Sequence, residues 1–338
     1  MTKFAAVGIS HDHIYGMTSA LLHAGGELAG FHEPDDALAA AYAGRFGAPR
    51  AADARVLLDD PGIALILSST VSADRTPVAL QAMRAGKDVM LDKPGAVSRA
   101  QLDVLRRTQV DTGRIVSICY SEHHESRATV HALDLVRAGA IGRVVNTAGF
   151  GPHRLREPTR PAWFFERARY GGILCDIASH QCWQFLVFSG AGDAAVLSAT
   201  VANRATPHRP ELQDMGDIHL RAADGTTGYV RVDWFTPDGM PVWGDVRLTV
   251  CGSEGTIELR KNVDPAGRPG GDHLFLADRQ GVRHIDCSGF DLPYGRRLLA
   301  DVRDRTETAM QQALCFKAME LAITAQETAE AQAWRAPA

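Results

Sequence analysis

The run Gly171-Gly172-Ile173-Leu174-Cys175-Asp176-Ile177-Ala178-Ser179-His180 carries the residues best placed to do chemistry. A helix running from about Gly172 puts Asp176 and His180 one turn apart on the same face. A carboxylate so placed holds one imidazole nitrogen, leaves the other to take a proton and favours the charged ring. Those are the requirements of a general base working near neutral pH. The paired glycines at the helix start permit a close approach to the backbone.

A second candidate is Lys93, in Val89-Met90-Leu91-Asp92-Lys93-Pro94-Gly95. The proline biases the lysine toward an extended conformation. At the carboxyl end of a parallel strand, such a lysine points into the ligand crevice. A third region is Gly8-Ile9-Ser10-His11-Asp12-His13, which keeps only the first glycine of G-x-G-x-x-G and has Ser10 and His13 at the other two positions. A dinucleotide site needs a strand, a tight turn and a helix whose first amides face the pyrophosphate. The serine hydroxyl can bond a phosphate oxygen; an ordinary strand-to-helix turn with loop histidines fits the same residues. Glu33 follows the second strand, about 25 positions after Gly8. Its carboxylate suits both ribose hydroxyls and repels a 2′-phosphate, which favours NAD over NADP. Helix capping is its other reading.

These groups need a scaffold. The chain has 338 residues, 45% of them hydrophobic, and a formal net charge of −4, which points to two domains with proper cores. No basic run suggests nucleic acid, and no apolar run approaches membrane-span length. The start lacks a cleavable signal pattern, and six scattered cysteines without C-x-x-C read as buried thiols in a reducing cytoplasm. Strands at 4–9, 27–32, 63–68, 88–91 and 115–120 alternate with helices at 14–24, 36–46, 73–85 and 99–112. This α/β pattern predicts a doubly wound parallel sheet over residues 1–121. Residues 122–338 predict an α+β domain. It has a helix at 129–137, a strand at 143–150, one helix over 171–188 and an open, largely antiparallel sheet from strands at 196–203, 216–222, 227–234, 246–251, 256–259 and 274–277. A long helix at about 306–332 closes the chain.

The loop over 151–161 and its surroundings supply His153, Arg154, Arg156 and Trp163 as crevice candidates. Arginine suits carboxylates and hydroxyls, and tryptophan suits a sugar face; a solvated basic loop with one packing tryptophan is the alternative. Glu122, His123 and His124 follow strand 5. With Asp176 and His180 they contain metal-ligand types, but no H-x-x-x-H spacing supports a metal, and none is expected.

Ala85-Gly86-Lys87-x-Val89 running into Asp92-Lys93-Pro94, then Gly171-Gly172-x3-Asp176-x3-His180, resembles the glucose–fructose oxidoreductase, inositol dehydrogenase and rhizopine-catabolism family (Gfo/Idh/MocA). The likeness extends to the Gly139–Val144 segment, Trp163-Phe164-Phe165 and the turn around Gly252-Ser253-Glu254-Gly255. Members usually read Glu-Lys-Pro, where this chain has Asp92. The resemblance implies an N-terminal NAD(P)-binding domain and oxidation of a secondary alcohol on a sugar, polyol or related compound. It carries the catalytic roles onto Lys93, Asp176 and His180. Gly8, Ser10, His11, His13, Glu33, Ser69, Arg75 and Asp92 join Lys93 in the cofactor set, Arg75 standing where many members have a histidine. His123, His153, Arg154 and Trp163 are the substrate set. Lys93 and His180 are expected to converge on one substrate oxygen, with His180 as base, Asp176 orienting it and Lys93 steadying the oxygen. An NAD-dependent glycosidase with a transient hydride step, or a non-catalytic sensor, are the rival readings. A homodimer or homotetramer is expected, with a carbohydrate or polyol substrate and neither nucleic acid nor membrane as partner.

Overall fold

Phe4, Ala5 and Ala6 are fully buried because their strand is paired on both sides. In the computed structural model, which describes residues 1–332, β1 (Lys3–Val7) lies parallel to β2 (Glu27–His32) and β3 (Ile63–Ser68). With β4 (Asp88–Asp92) and β5 (Val116–Cys119) they form a five-stranded parallel sheet in the order β2-β1-β3-β4-β5. The apolar runs read from the sequence follow from that double-sided burial. Helices α1 (His13–His23), α2 (Asp36–Phe46), α3 (Ala54–Leu58), α4 (Ser72–Arg84) and α5 (Arg99–Thr112) make the crossovers. Strand order reverses between β1 and β3, so the crevice beyond their carboxyl ends is the expected ligand position.

By its contacts the chain divides into two compact units. One comprises Met1–Cys119, Ala168–Gly171 and Pro293–Phe316; the other comprises Tyr120–Arg167, Gly172–Leu292 and the segment from Lys317 onward. Helix α11 (Tyr294–Asp304), which no strong sequence signal announced, therefore packs in the first unit. Leu298, Leu299 and Val302 join Phe4, Leu21 and Phe31 in its core, and Tyr294 OH lies 2.7 Å from Ser117 Oγ. A Cβ on Gly295 would come within 2.6 Å of the Ala20 carbonyl, so glycine sets how closely α11 meets α1. Asp301 ends α11 by accepting from Thr306 Oγ1, Thr308 N and Ala309 N at 2.6, 2.9 and 2.7 Å. Residues 305–311 are accordingly not helical, and the last helix, α12, runs over Gln312–Ala331 rather than from 306.

The second unit is built on an eight-stranded sheet in the order β13-β12-β11-β10-β6-β9-β8-β7. These strands are β6 (Val144–Pro152), β7 (Ala194–Ala202), β8 (Met215–Ala222), β9 (Thr227–Asp233), β10 (Arg247–Gly252), β11 (Gly255–Arg260), β12 (His273–Asp278) and β13 (Gly281–Ile285). Only β6–β9 is a parallel pair; the rest are antiparallel. Before β6 come the single turn α6 (Ser121–His124) and α7 (Arg127–Arg137). Beyond β6 lie α8 (Arg167–Tyr170), α9 (Ile173–Asp176) and α10 (Ser179–Ser189). Ala128, Ala132 and Leu133 of α7 bury against Val250, Ile257 and Leu274 of the sheet.

Candidate active site

In the first unit the turn after β1 is shaped by sequence and tertiary contact together. Gly8 has φ +73°, and a Cβ there would sit 2.6 Å from Thr70 Cβ, so glycine is required at this position. Ser69, just past β3, donates its backbone N–H to the Gly8 carbonyl (3.0 Å) and its hydroxyl to the His11 carbonyl (2.8 Å). Glu33 is buried. Its Oε2 accepts from Ile9 N at 2.9 Å and its Oε1 from Asp35 N at 3.1 Å. Asp35, not Glu33, caps α2, accepting from Ala37 and Leu38. The carboxylate thus braces the turn from the strand end where a ribose would lie, and each oxygen keeps acceptor capacity. Arg50, unnoticed in the sequence, donates to the Glu33 and Pro34 carbonyls and to Asp36 Oδ1 at 3.0, 3.0 and 2.7 Å.

At the end of β4, Asp92 is fully buried and its two oxygens face different partners. Arg75 Nη2 donates to Oδ2, and His13 Nδ1 to Oδ1, both at 2.8 Å. Burial pushes the Asp92 carboxyl up, but Arg75 and then His13 outweigh it and hold it well below the usual carboxylate range. Arg75 is itself 1% exposed and spends its remaining donors on the carbonyls of Thr70, Lys93 and Pro94. It ties down the segment that carries Lys93, which is also buried. His11 Nδ1 lies 3.7 Å from Asp92 and accepts from His13 N at 3.2 Å. Burial first, then the His13 charge, holds its imidazole well below the ordinary value, against the pull of Asp92. One ligand atom from each of His11, His13 and Asp92 lies within 4.8 Å of the others, a geometry a metal could use. The charge argues otherwise: Arg75 pairs with Asp92, and His13, Lys93 and Arg75 all oppose a further positive charge at His11.

In the second unit the expected single helix over 171–188 is two. Helix α9 ends at Asp176, and α10 begins at Ser179. Across the break, Ala178 N reaches back five residues to the Ile173 carbonyl at 3.4 Å, and His180 N reaches back three to Ile177 at 3.1 Å. Asp176 and His180 therefore do not share one regular helical face, as the spacing alone implied. Both are buried, and the His180 ring lies edge-on to Tyr120 at 6.0 Å. Gly172 has φ +86°, and a Cβ there would fall 2.3 Å from the Gln326 amide. The glycine makes room for that side chain, whose Oε1 accepts from Leu174 N at 3.0 Å.

The substrate candidates separate. His123 packs among Trp183, His124 and Phe188, and burial, helped by Arg137, takes its imidazole down to about 3. It is a neutral core residue. Arg154 donates to the carbonyls of Pro237 and Met240, fastening the 235–243 loop. Trp163 is half-buried beside Phe164. His153 lies 4.5 Å ring to ring from Trp243 and 5.5 Å from Trp234, its Nε2 3.9 Å from Glu122 Oε1. Glu122 accepts from Gln181 Nε2.

Comparison with known proteins identifies the family and the fold. Residues 3–120 match the profile "Oxidoreductase family, NAD-binding Rossmann fold" of GFO_IDH_MocA, and residues 129–258 match the "GFO/IDH/MocA C-terminal domain". A crystal structure described as a putative oxidoreductase from Erwinia carotovora atroseptica is 42% identical, with a TM-score of 0.95 over 97% of this chain and 99% of that one. Levoglucosan dehydrogenase in complex with NADH and levoglucosan has a TM-score of 0.83 over 99% of this chain and 98% of that one at 18% identity, which shows the fold. In sequence, levoglucosan dehydrogenase of Pseudarthrobacter phenanthrenivorans is 31% identical over 60% of this chain and 52% of its own length. Scyllo-inositol 2-dehydrogenase (NAD(+)) of Bacillus subtilis is 23% identical over 60% of this chain and 56% of its own. The chain spans about half the length of these curated relatives. With both domain profiles matched in order and a 42% identical relative covered nearly end to end, the chain belongs to the GFO/IDH/MocA oxidoreductase family.

Proposed function

We propose that this protein is an NAD-dependent dehydrogenase that oxidises a secondary alcohol of a sugar, polyol or related small molecule, or reduces the corresponding ketone. The observation that carries the reading is the junction after β4. There a buried lysine is fixed beside the strand-order reversal by the Arg75–Asp92 pair, in a sheet whose first turn has no room for a Cβ at Gly8. The groups around that turn suit a dinucleotide: Glu33 for ribose hydroxyls, and the Ser10 hydroxyl with the start of α1 for its phosphates. Glu33 disfavours a 2′-phosphate, so NAD is preferred to NADP; the charge of neighbouring Asp36 is already met by Arg50. The substrates named in the relatives, levoglucosan and scyllo-inositol, are polyhydroxylated and support that substrate class.

Bound NAD supplies the hydride acceptor. His180 takes the hydroxyl proton, and Asp176, four residues before it and also buried, is the carboxylate that the family pattern pairs with it. The Lys93 ammonium stabilises the negative charge that develops on oxygen. Proton transfer to a positioned base is worth roughly 10²–10⁴-fold. Among the described residues no helix is long and apolar enough to cross a membrane. The sheet of the second unit is a natural surface for self-association, so a homodimer or homotetramer is expected. A screen of sugars, inositols and sugar acids with NAD and NADP, followed by reduced-nicotinamide absorbance, tests the reading. Turnover with a polyol is expected. NAD binding without turnover across the panel would indicate a sensor, and released sugar without net NADH a glycosidase.

A further inference from the structure

The segment Tyr120–His124 is read by one face of α10. Tyr120 stacks on Trp183 at 5.5 Å with an interplanar angle of 14° and meets the edge of His180 at 6.0 Å. The Glu122 carbonyl accepts from Gln184 Nε2 at 3.5 Å, and its carboxylate Oε2 accepts from Gln181 Nε2. Strand β6 presses Gln181 from the other side: a Cβ on Gly149 would lie 2.8 Å from Gln181 Cγ, and one on Gly151 3.2 Å from Gln181 Nε2. Gln181 thus has little freedom of its own. Its place is set by two glycines and one carboxylate.

That carboxylate has a second neighbour. His153 Nδ1 lies 3.0 Å from the Gly151 carbonyl and must donate to it, because a carbonyl only accepts. In the neutral ring Nε2 is then an acceptor, and it faces Glu122 Oε1 at 3.9 Å. A proton on the imidazole turns two facing acceptors into an ion pair. The other charged groups around His153 are Arg154 beside it in sequence, Asp233 at the end of β9, and Asp245 with Arg247 at the start of β10. Lys261 lies on the same side, its Nζ donating to the Ser121 carbonyl at 3.1 Å. From α10 the uncharged Gln181 bonds the same carboxylate, and α6 adds His124, kept neutral by burial and then by His123.

We propose that Glu122 is a positioning residue for the His180 turn of α10, holding Gln181 in place and transmitting to that turn the protonation state of His153. The inference rests on His180 being the base, so its test needs a readout that does not depend on turnover. Glu122→Gln keeps an acceptor for Gln181 and removes the charge; Gln181→Leu removes the donor and keeps the charge. With thermal midpoints checked for both, each variant lowers kcat roughly tenfold with KM for NAD unchanged, the acceptor's charge being lost in one and the donor in the other. Each also removes one ionisation from the pH profile of kcat/KM. In parallel, the His180 and His153 imidazole resonances are followed by NMR between about pH 5 and 8, the range spanning free histidine, with His180→Gln for assignment. Linked titration in the wild type that disappears in Glu122→Gln supports the inference. His180 shifts that ignore both pH-dependent changes at His153 and the Glu122 substitution overturn it, even if no substrate is ever turned over. A wild type that shows the linkage but no dehydrogenase activity instead refutes the proposed function alone.

Discussion

Arg75 Nη2 lies 2.8 Å from Asp92 Oδ2 with both side chains out of reach of water, the arginine 1% exposed and the aspartate 0%. The pair is what turns a strand end into a fixed mount for Lys93. Breaking a buried pair leaves an uncompensated charge, so Arg75→Met is expected to cost about 3–5 kcal/mol in urea unfolding. Arg75→Lys should rescue little, because one ammonium cannot replace the fork that also bonds the carbonyls of Thr70, Lys93 and Pro94. The acid limb follows from the same pair. Asp92 is held below its unfolded value of about 3.9, so its stabilisation is present above that pH and lost as pH falls toward the folded value.

His123 produces a second, separate pH dependence. Its folded imidazole titrates at about 3, far below the unfolded value of about 6.5. Between those values the unfolded chain binds the extra proton, so stability falls as pH drops below about 6.5. His123→Leu should flatten the slope of unfolding free energy by about 1.4 kcal/mol per pH unit in that window. An unchanged slope in urea titrations at pH 4–6.5 would mean the imidazole is not buried neutral.

Gly172 combines φ +86° with ψ 155° and leaves 2.3 Å for a Cβ against Gln326. Gly172→Ala therefore pays both a conformational penalty of about 1–3 kcal/mol and displacement of the Gln326–Leu174 hydrogen bond. The expected thermal shift is downward. Activity should fall with it, since α9 leads into the His180 turn.

In the proposed function, cofactor choice rests on Glu33. Removing a carboxylate that bonds ribose hydroxyls costs about 1.5–3 kcal/mol, so Glu33→Ala should weaken NADH binding by roughly 10–100-fold in fluorescence titration. Because Glu33 also braces Ile9, some loss extends to NADPH, but the ratio between the two should narrow. An unchanged ratio would place the discrimination elsewhere.

The parallel sheet was legible because each of its strands is an apolar run separated by a helix with plain signals. In the structure, α2 and α5 start at the caps Asp35 and Ser98 and end at the left-handed Gly47 and Gly113. What was not legible depends on long-range contact. Helix α3 is one short turn started by Asp53, and β13 is an outer strand with mostly exposed residues and little alternation. The end of α11 is fixed by Asp301 reaching forward to residues 306–309. The break between Asp176 and His180 has no proline or glycine to mark it. Nor could spacing reveal that Arg75 and His13 divide the two oxygens of Asp92, because those residues are 17 and 79 positions from it.

Lys93 and His180 are proposed to perform the alcohol chemistry while other residues hold the cofactor. Single-turnover and steady-state assays on Lys93→Met and His180→Ala, paired with NADH titrations, test it most directly. Each variant should lose roughly 10²–10⁴-fold in kcat with NADH affinity nearly unchanged. Normal turnover by His180→Ala with any substrate the wild type oxidises would contradict the account.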